Sequence, residues 1–524
     1  MRGGSIVGSV RSDPTSFNRL LFADRSTELV SILTQAKLVR VNRVTQHVEP
    51  WLAESWTANA NGRCVTLKLR AGVVFSDGEP FTADDVVFTL AAAYDKSTDS
   101  VLAEALTVGG RPIEARAVDP RTVTLTFATP YAPGVRILDN LPILPKHKLD
   151  AALHAGTLRK QWTPGMPPVE LAGLGPFVLR EYAPGQRLVF ERNPHYWRKG
   201  PGGVNLPYLD RISIEVIPDQ NAEMLRLDAG ELDVMNEDLT PEAYGWMKKA
   251  SRDGRVRLID VGTAQQADSF WLNLKPGAYA GDPRAPWLQR DELRRAISLA
   301  VNRQAFVDEV FLGAGKPVYG PVSPANEMWF WSDTPKTPYD PNQAKALLTS
   351  AGVPPGARFS ILVQKGRPRL ERGAAFIRDE LRKIGLTVDV IALEGNTVVQ
   401  RILSGKYDAV YFAPTVTDTD PANQQDFWQS SGPFHLWNPS EAKPATDWER
   451  EIDGLMRTQA QTADPVQRKR LFDTVQQIFL RNEPVLYFAV REIYVAVSSR
   501  ITTMTPAADT FPVFWSPDDI GIRQ

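Results

Sequence analysis

The residues that could do chemistry in this chain are charged side chains in two short segments of its C-terminal half. One segment carries the cations Lys365, Arg367 and Arg369. The other carries the carboxylates Asp418 and Asp420. A guanidinium offers paired donors that match a carboxylate, and a carboxylate accepts hydrogen bonds from an ammonium group, so the two segments together suit a zwitterion. A loop aspartate is equally well explained as a turn-former, and both interpretations stay open here.

Signatures of common enzyme classes do not occur in the sequence. It contains no H-E-x-x-H, no G-x-S-x-G and no G-x-x-x-x-G-K-[ST] pattern, which are the marks of zinc proteases, serine hydrolases and P-loop nucleotide hydrolases. The 5 histidines are scattered without metal-ligand spacing, and we predict neither a metal site nor a cofactor. We therefore predict no enzyme. The remaining enzymatic hypothesis is a hydrolase using Asp418 or Asp420, which would need a second carboxylate or a histidine nearby.

The composition is that of an ordinary globular protein. The chain has 524 residues, of which 43% are hydrophobic and 23% charged, and a chain of this length commonly forms about three domains of ~150 residues. The formal net charge is −1, so no global field attracts nucleic acid. Cys64 is the only cysteine, which excludes a disulfide within the chain. We predict a monomer that does not bind nucleic acid.

The elements that would position the charged segments follow from hydrophobic periodicity over residues 359–413. The predicted elements are strand Phe359–Val363, helix Glu371–Ile384, strand Leu386–Ile391, helix Val398–Leu403 and strand Ala409–Ala413. This β-α-β-α-β order predicts parallel strands with right-handed crossovers. Open α/β sheets bind ligands outside the carboxyl ends of such strands. The loops Gln364–Arg369, Ala392–Asn396 and Pro414–Pro421 should therefore lie side by side.

The N-terminal part of the chain contains a well-punctuated strand and helix. Asn61-Gly62 is a tight-turn dipeptide, and apolar residues alternate with polar ones over residues 65–69, which predicts a strand with one buried face. Thr82 and Asp85 have the spacing of a capping box at the start of a helix. Further upstream, apolar spacing predicts a helix over Glu28–Val41.

The exact sequence of residues 50–94 indicates more than these periodic patterns do. It reads PWLAESWTANANGRCVTLKLRAGVVFSDGEPFTADDVVFTLAAAY. It resembles the signature of solute-binding family 5, the oligopeptide- and dipeptide-binding proteins of bacterial ABC importers. Residues 141–147, LPILPKH, and residues 173–197, GLGPFVLREYAPGQRLVFERNPHYW, also resemble family sequence. Cys64 departs from the family, which usually has a small polar or β-branched residue there.

The resemblance implies a fold and a domain organisation. The expected fold is α/β, a two-lobed periplasmic-binding-protein fold of type II with an inter-lobe ligand cleft. The expected first lobe is residues 1–268, with an extra subdomain at about 46–168. Residues 269–489 are expected to form the second lobe, and residues 490–524 to return to the first.

The resemblance also implies a function. The expected role is capture of an extracellular or periplasmic solute, a short peptide above all, and its delivery to an ABC permease after the lobes close about hinge strands. A metal chelate (nickel), haem or an oligosaccharide is the alternative ligand. The N-terminal sequence MRGGSIVGSVRSD has no signal-peptide core. Either the protein is cytosolic or a leader was removed, and the resemblance favours the second, periplasmic or extracellular, reading.

Candidate ligand contacts are implied at both lobes. They are Thr15, Phe17, Asp268, Phe270, Lys365, Arg367, Arg369, Phe412, Thr415, Thr417, Asp418 and Asp420. Peptide-binding members of the family place an aspartate in the loop after the last parallel strand, followed by a D-P or E-P step. Here the step is Asp420-Pro421, but the loop is shorter, so Thr417 takes the expected position and Asp418 comes one residue later. Either Asp418 binds a ligand amine, or the amine site is absent and the ligand is not an ordinary peptide.

Overall fold

The chain folds into two structural units. The computed structural model describes residues 2–237, 239–414 and 418–523. Unit 1 comprises Met1–Val261 and Tyr494–Gln524, and unit 2 comprises Gly262–Ile493. The chain crosses between them along strands Val256–Thr263 and Ala489–Ser498. The lobe boundaries and the subdomain derived from the sequence stay predictions.

Unit 1 is built on two four-stranded sheets. The first has the order Ser5–Val10, Arg211–Val216, Arg187–Arg192 and Phe177–Ala183, with a parallel first pair. The second has the order Ala53–Ala58, Cys64–Leu69, Thr122–Thr126 and Glu114–Asp119, and its neighbours are all antiparallel. In Cys64–Leu69 every second side chain is buried, which confirms the alternation predicted over residues 65–69.

The helix Ala83–Tyr94 begins with the predicted capping box. One carboxylate oxygen of Asp85 accepts a hydrogen bond from the Thr82 amide at 2.8 Å. Its other oxygen accepts one from the Lys146 amide at 3.0 Å, which ties the start of helix Lys146–His154 to this cap. Burial raises the pKa of Asp85, although these hydrogen bonds favour its anion. Asp85 therefore caps its own helix and also holds a helix that lies about 60 residues further along the chain.

The helix predicted over Glu28–Val41 is wrong in extent. The structure has a helix at Arg25–Thr34 and a strand at Val39–Val41 that pairs with Val48–Pro50. The helix ends at Thr34 because the Gly175 amide donates to the Thr34 carbonyl oxygen at 2.9 Å. A chain segment from far along the sequence thus occupies the helix terminus.

The remaining longer helices lie in both units. In unit 1 they are Gln220–Asp228 and Pro241–Ala250. In unit 2 they are Asp291–Ala300, Arg303–Val310, Pro341–Ser350, Pro368–Lys383, Gly395–Leu403, Asp447–Gln461 and Pro465–Asn482. Within the described ranges, no helix has both the length and the apolar character needed to cross a bilayer.

Unit 2 contains the predicted parallel strands. Its five-stranded sheet has the order Thr387–Leu393, Arg358–Gln364, Ala409–Phe412, Ser269–Leu272 and Val485–Tyr487. Arg358–Gln364 is parallel to both of its neighbours, and Pro368–Lys383 and Gly395–Leu403 are the crossover helices. The β-α-β-α-β prediction is confirmed. The first crossover helix begins earlier than predicted, so Arg367 becomes its N-cap residue.

We expect Gly175→Ala to destabilise unit 1. A Cβ at this position would lie 2.6 Å from the Gln35 nitrogen and 2.7 Å from the Leu33 carbonyl oxygen, both of them backbone atoms. Overpacking of this kind typically costs about 1–3 kcal/mol. Thermal melting should show a lower transition temperature for Gly175→Ala. The matched control is Gly165→Ala, where the added Cβ meets nothing within 4 Å; equal melting of the two variants would contradict the close-approach argument.

Candidate ligand-binding edge of unit 2

Four strands meet at one edge of the unit 2 sheet, which we call the carboxyl edge. The parallel strands Arg358–Gln364, Thr387–Leu393 and Ala409–Phe412 all end there. Ser269–Leu272 runs antiparallel and starts there, because Ser269 lies opposite Phe412. The sheet therefore brings Asp268 to the same edge as the loops that follow the parallel strands.

Asp268 and Arg369 form an ion pair at this edge. The Tyr411 hydroxyl donates to the same Asp268 oxygen at 2.8 Å, and burial raises the pKa of Tyr411 so that it stays a protonated donor. The Arg369 guanidinium also lies 5.4 Å from the ring centre of Phe311. Asp268 is 5% exposed. Two predicted ligand contacts thus engage each other, and their contact with a ligand stays a prediction.

Tyr411 and Gly373 were not found from the sequence. Gly373 lies inside helix Pro368–Lys383, and a Cβ there would lie 2.9 Å from the Tyr411 hydroxyl oxygen. The glycine therefore gives Tyr411 the space to reach Asp268. The available signal was a glycine within a helical pattern, which costs about 1 kcal/mol relative to alanine and usually has a packing reason.

The loop after strand Arg358–Gln364 carries exposed cations. Lys365 and Arg367 are both exposed. The Lys365 ammonium lies 3.7 Å from a carboxylate oxygen of Glu394 in the adjoining loop. In the part of the chain that the structure describes, no carboxylate pairs with the Arg367 guanidinium. Among the described residues, Arg367 is thus an exposed cation at this edge without a carboxylate partner.

The loop after Ala409–Phe412 is only partly described, since the predicted contacts Thr415 and Thr417 lie outside the described residues. The Asp418 carboxylate accepts from the Asp420 amide at 2.9 Å and from the Asn423 side-chain amide at 2.6 Å. Its backbone carbonyl accepts from the Gln424 side chain at 2.6 Å. These contacts give Asp418 a turn-forming role, and its predicted contact with a ligand stays a prediction.

Asp420 is held inside unit 2. Its two oxygens accept from the Arg468 guanidinium at 3.1 and 2.7 Å, and both side chains are under 10% exposed. The Ala422 amide donates to the same carboxylate at 2.9 Å. Arg468 also donates to Gln459 and lies 4.8 Å from the ring centre of Trp329. These contacts give Asp420 an anchoring role, and its predicted ligand contact stays a prediction.

The candidate aromatic residues are placed differently from one another. Phe17 is 1% exposed in the core of unit 1, where its ring packs edge to face against Tyr182. Phe270 is 0% exposed in the core of unit 2 and contacts Phe488. Phe412 is half-buried at the carboxyl edge. Packing accounts for Phe17 and Phe270, and all three ligand contacts stay predictions.

The loop that carries Thr15 is anchored to the hairpin of residues 177–192. The carboxylate of Asp13 accepts from the Tyr182 hydroxyl at 2.9 Å and from the Gly185 amide at 3.0 Å. Thr15 lies two residues after Asp13 and is exposed. The loop thus presents Thr15 to solvent from a fixed backbone, and a ligand contact by Thr15 stays a prediction.

We expect Asp420→Asn to destabilise unit 2 strongly. The change leaves Arg468 buried without its counter-charge, which typically costs about 3–5 kcal/mol. Urea denaturation followed by tryptophan fluorescence should show a lower midpoint. The control is Asp389→Asn, which removes an equally direct but exposed pair with Arg358 and should leave the midpoint unchanged. A wild-type midpoint for Asp420→Asn would show that the pair does not anchor the loop.

The sequence and the fold both match known proteins. The model of "bacterial extracellular solute-binding proteins, family 5 Middle" matches residues 47–435. A probable ABC transporter-binding protein of Deinococcus radiodurans is 26% identical over 520 residues, covering 91% of this chain and 86% of that protein. The oligopeptide-binding protein AppA of Bacillus subtilis is 26% identical over 514 residues, covering 93% of this chain and 86% of that protein.

A solved structure shares the fold. The ABC transporter substrate-binding protein CtaP from Listeria monocytogenes superposes with a TM-score of 0.84 at 22% identity, and the match covers 100% of each chain. This likeness confirms the predicted two-lobed α/β fold class. Because the family model matches well over half of the sequence, the chain belongs to the bacterial extracellular solute-binding proteins of family 5.

Proposed function

We propose that this chain is the solute-binding component of an ABC importer, that it works in the periplasm or outside the cell, and that it captures a short peptide. The observation that carries the proposal is the match to family 5 over residues 47–435, together with similarity to an oligopeptide-binding protein over 93% of this chain. The partners would be the permease subunits of the importer. The protein would act as a monomer and would perform no chemistry on its ligand.

The proposed capture step is closure of two lobes on the peptide. The lobes would be residues 1–268 with the subdomain 46–168, residues 269–489, and the return segment 490–524. A ligand that contacts both lobes stabilises the closed state only by its differential affinity for that state. Strands Val256–Thr263 and Ala489–Ser498, which carry the chain between the units, would serve as the hinge.

The charges of the carboxyl edge support a zwitterionic ligand. Arg367 offers a guanidinium to a carboxylate end, and Asp418 offers a negative charge to an amine end. The pair Asp268–Arg369 is already satisfied within unit 2. We therefore assign the two ends of the peptide to Arg367 and Asp418, with Lys365 supporting Arg367.

We expect peptides to raise the melting temperature and to be recovered unchanged. A ligand at 100 times its Kd stabilises the folded state by about 2.7 kcal/mol. The thermal-shift screen should compare pools of di- to nonapeptides with nickel chelates, haem and oligosaccharides, and mass spectrometry should follow the hits after incubation. A shift with a chelate, haem or a sugar alone would replace the peptide. A chemically altered ligand would overturn the binding-only role.

We expect the two ends of the peptide to be read by different side chains. Arg367→Ala should weaken binding of free-carboxylate peptides about tenfold or more, ~1.4 kcal/mol, and spare C-amidated peptides. Asp418→Asn should weaken binding of free-amine peptides and spare N-acetylated ones. Isothermal titration with one peptide in its free, acetylated and amidated forms measures each effect.

The controls for this experiment are exposed residues of unit 2. Arg382→Ala changes an exposed arginine on the helix that begins directly after Arg367, and Asp389→Asn changes an exposed carboxylate. Both should bind every peptide form like the wild type. If the wild type binds acetylated and free peptides equally, the amine site is absent and Asp418 only forms the turn.

A further inference from the structure

A buried cluster of metal-ligating side chains lies in unit 2, outside the residues assigned to the peptide. It consists of His435, Glu441 and Glu449, whose nearest ligand atoms all lie within 4.8 Å of one another. The side chains are 1%, 4% and 3% exposed, respectively. Two carboxylates buried this close together repel each other unless a cation lies between them.

The histidine is oriented for metal binding. His435 Nδ1 lies 3.1 Å from the Phe427 carbonyl oxygen. A carbonyl can only accept, so this contact places a proton on Nδ1, and Nε2 of the neutral ring then presents its lone pair to the carboxylates. Histidines that bind metals usually donate their other ring N–H in this way. The imidazole is further held by Trp437, at 3.9 Å between ring centres.

Two of the three distances between the ligand atoms suit a tetrahedral ion. His435 Nε2 lies 3.5 Å from Glu441 Oε1 and 3.5 Å from Glu449 Oε1. These separations are long for hydrogen bonds. Two ligands on a tetrahedral zinc ion, with bonds of about 2.0–2.2 Å, are about 3.4 Å apart.

Glu441 provides an independent indication of a missing partner. Its Oε1 is buried and, among the described residues, has no hydrogen-bond donor. Its Oε2 accepts from the Ala445 amide at 2.6 Å, which aims Oε1 at the cluster. A buried carboxylate oxygen without a partner is costly, and a bound ion is one of the standard explanations.

Glu449 is fixed from both sides. The Trp437 indole N–H donates to Oε1 at 2.9 Å. The Thr446 amide and hydroxyl donate to Oε2 at 2.8 and 2.7 Å, in the capping box of helix Asp447–Gln461. In the described ranges, neither Glu441 nor Glu449 pairs with a lysine or an arginine. A neutral imidazole and two ionised carboxylates would together carry a charge of −2, which balances one divalent cation.

We propose that His435, Glu441 and Glu449 form a binding site for one divalent transition-metal ion. One imidazole and two carboxylates fit Zn²⁺ best, with a water molecule as the fourth ligand. The ion would join the segment of residues 427–441 to the start of helix Asp447–Gln461. Its role would be structural, because all three side chains are buried.

The test uses the full chain, stripped with a chelator, loaded with Zn²⁺ and desalted. Inductively coupled plasma mass spectrometry should find one zinc per chain, and isothermal titration should give its affinity. Glu441→Gln preserves the shape of the side chain, and the affinity should fall by more than the ~10–100-fold that losing an outer-shell partner costs. The controls are Glu451→Gln, an exposed change on the same helix as Glu449, and His154→Gln, an exposed histidine. Both should bind zinc like the wild type.

Two further measurements keep the outcome independent of how the variant folds. Zn²⁺ should raise the melting temperature of the wild type. Co²⁺ bound to the wild type should show the intense visible absorption of a tetrahedral site. Less than one retained zinc in the wild type, wild-type affinity in a folded Glu441→Gln, or a weak octahedral Co²⁺ spectrum would each overturn the proposal.

Discussion

The parallel pairing of strand Arg358–Gln364 with both of its neighbours is the constraint on which the candidate site depends. The carboxyl ends of parallel strands all lie at one edge of the sheet, so the loops that follow these strands lie close together at that edge. The antiparallel strand Ser269–Leu272 adds Asp268 to that edge because it starts where its partner ends. Residues separated by more than a hundred positions are thereby gathered at one place.

The charged residues at this edge fall into two groups, which are buried ion pairs and exposed charges. Asp268 with Arg369, and Asp420 with Arg468, are desolvated pairs, and a buried charge persists only when it is paired. Such pairs fix the loops that carry them. Arg367 lies at the same edge but is exposed, so water can solvate its charge and it needs no permanent counter-charge. Such a side chain suits a ligand that binds and dissociates. The distinction between anchoring and binding charges is thus one of solvation.

Close approach of neighbouring segments explains why glycine occurs at several positions of this sequence. Gly175 and Gly173 lie against the last turn of helix Arg25–Thr34, where any side chain would collide with backbone. Gly373 similarly leaves room for Tyr411. In all three cases the glycine provides space for a neighbour, and the neighbour lies more than thirty residues away in the sequence.

Local signals in the sequence determined the alternating strand at 65–69, the capping box of Thr82 and Asp85, and the β-α-β-α-β order that predicts the carboxyl edge. Each depends on residues a few positions apart, where backbone geometry alone decides the outcome. The family assignment likewise followed from contiguous wording.

The tertiary structure alone decided the helix end at Thr34, the pairing of Asp420 with Arg468, and the meeting of His435 with Glu441 and Glu449. Glu441 follows His435 by six residues and Glu449 follows Glu441 by eight, so the three side chains would lie too far apart to meet along a single strand or helix. Such contacts depend on which distant segments pack together and exclude water. A sequence pattern predicts the secondary structure of each segment. Only the packing of distant segments determines which charges are buried and which side chains pair with them.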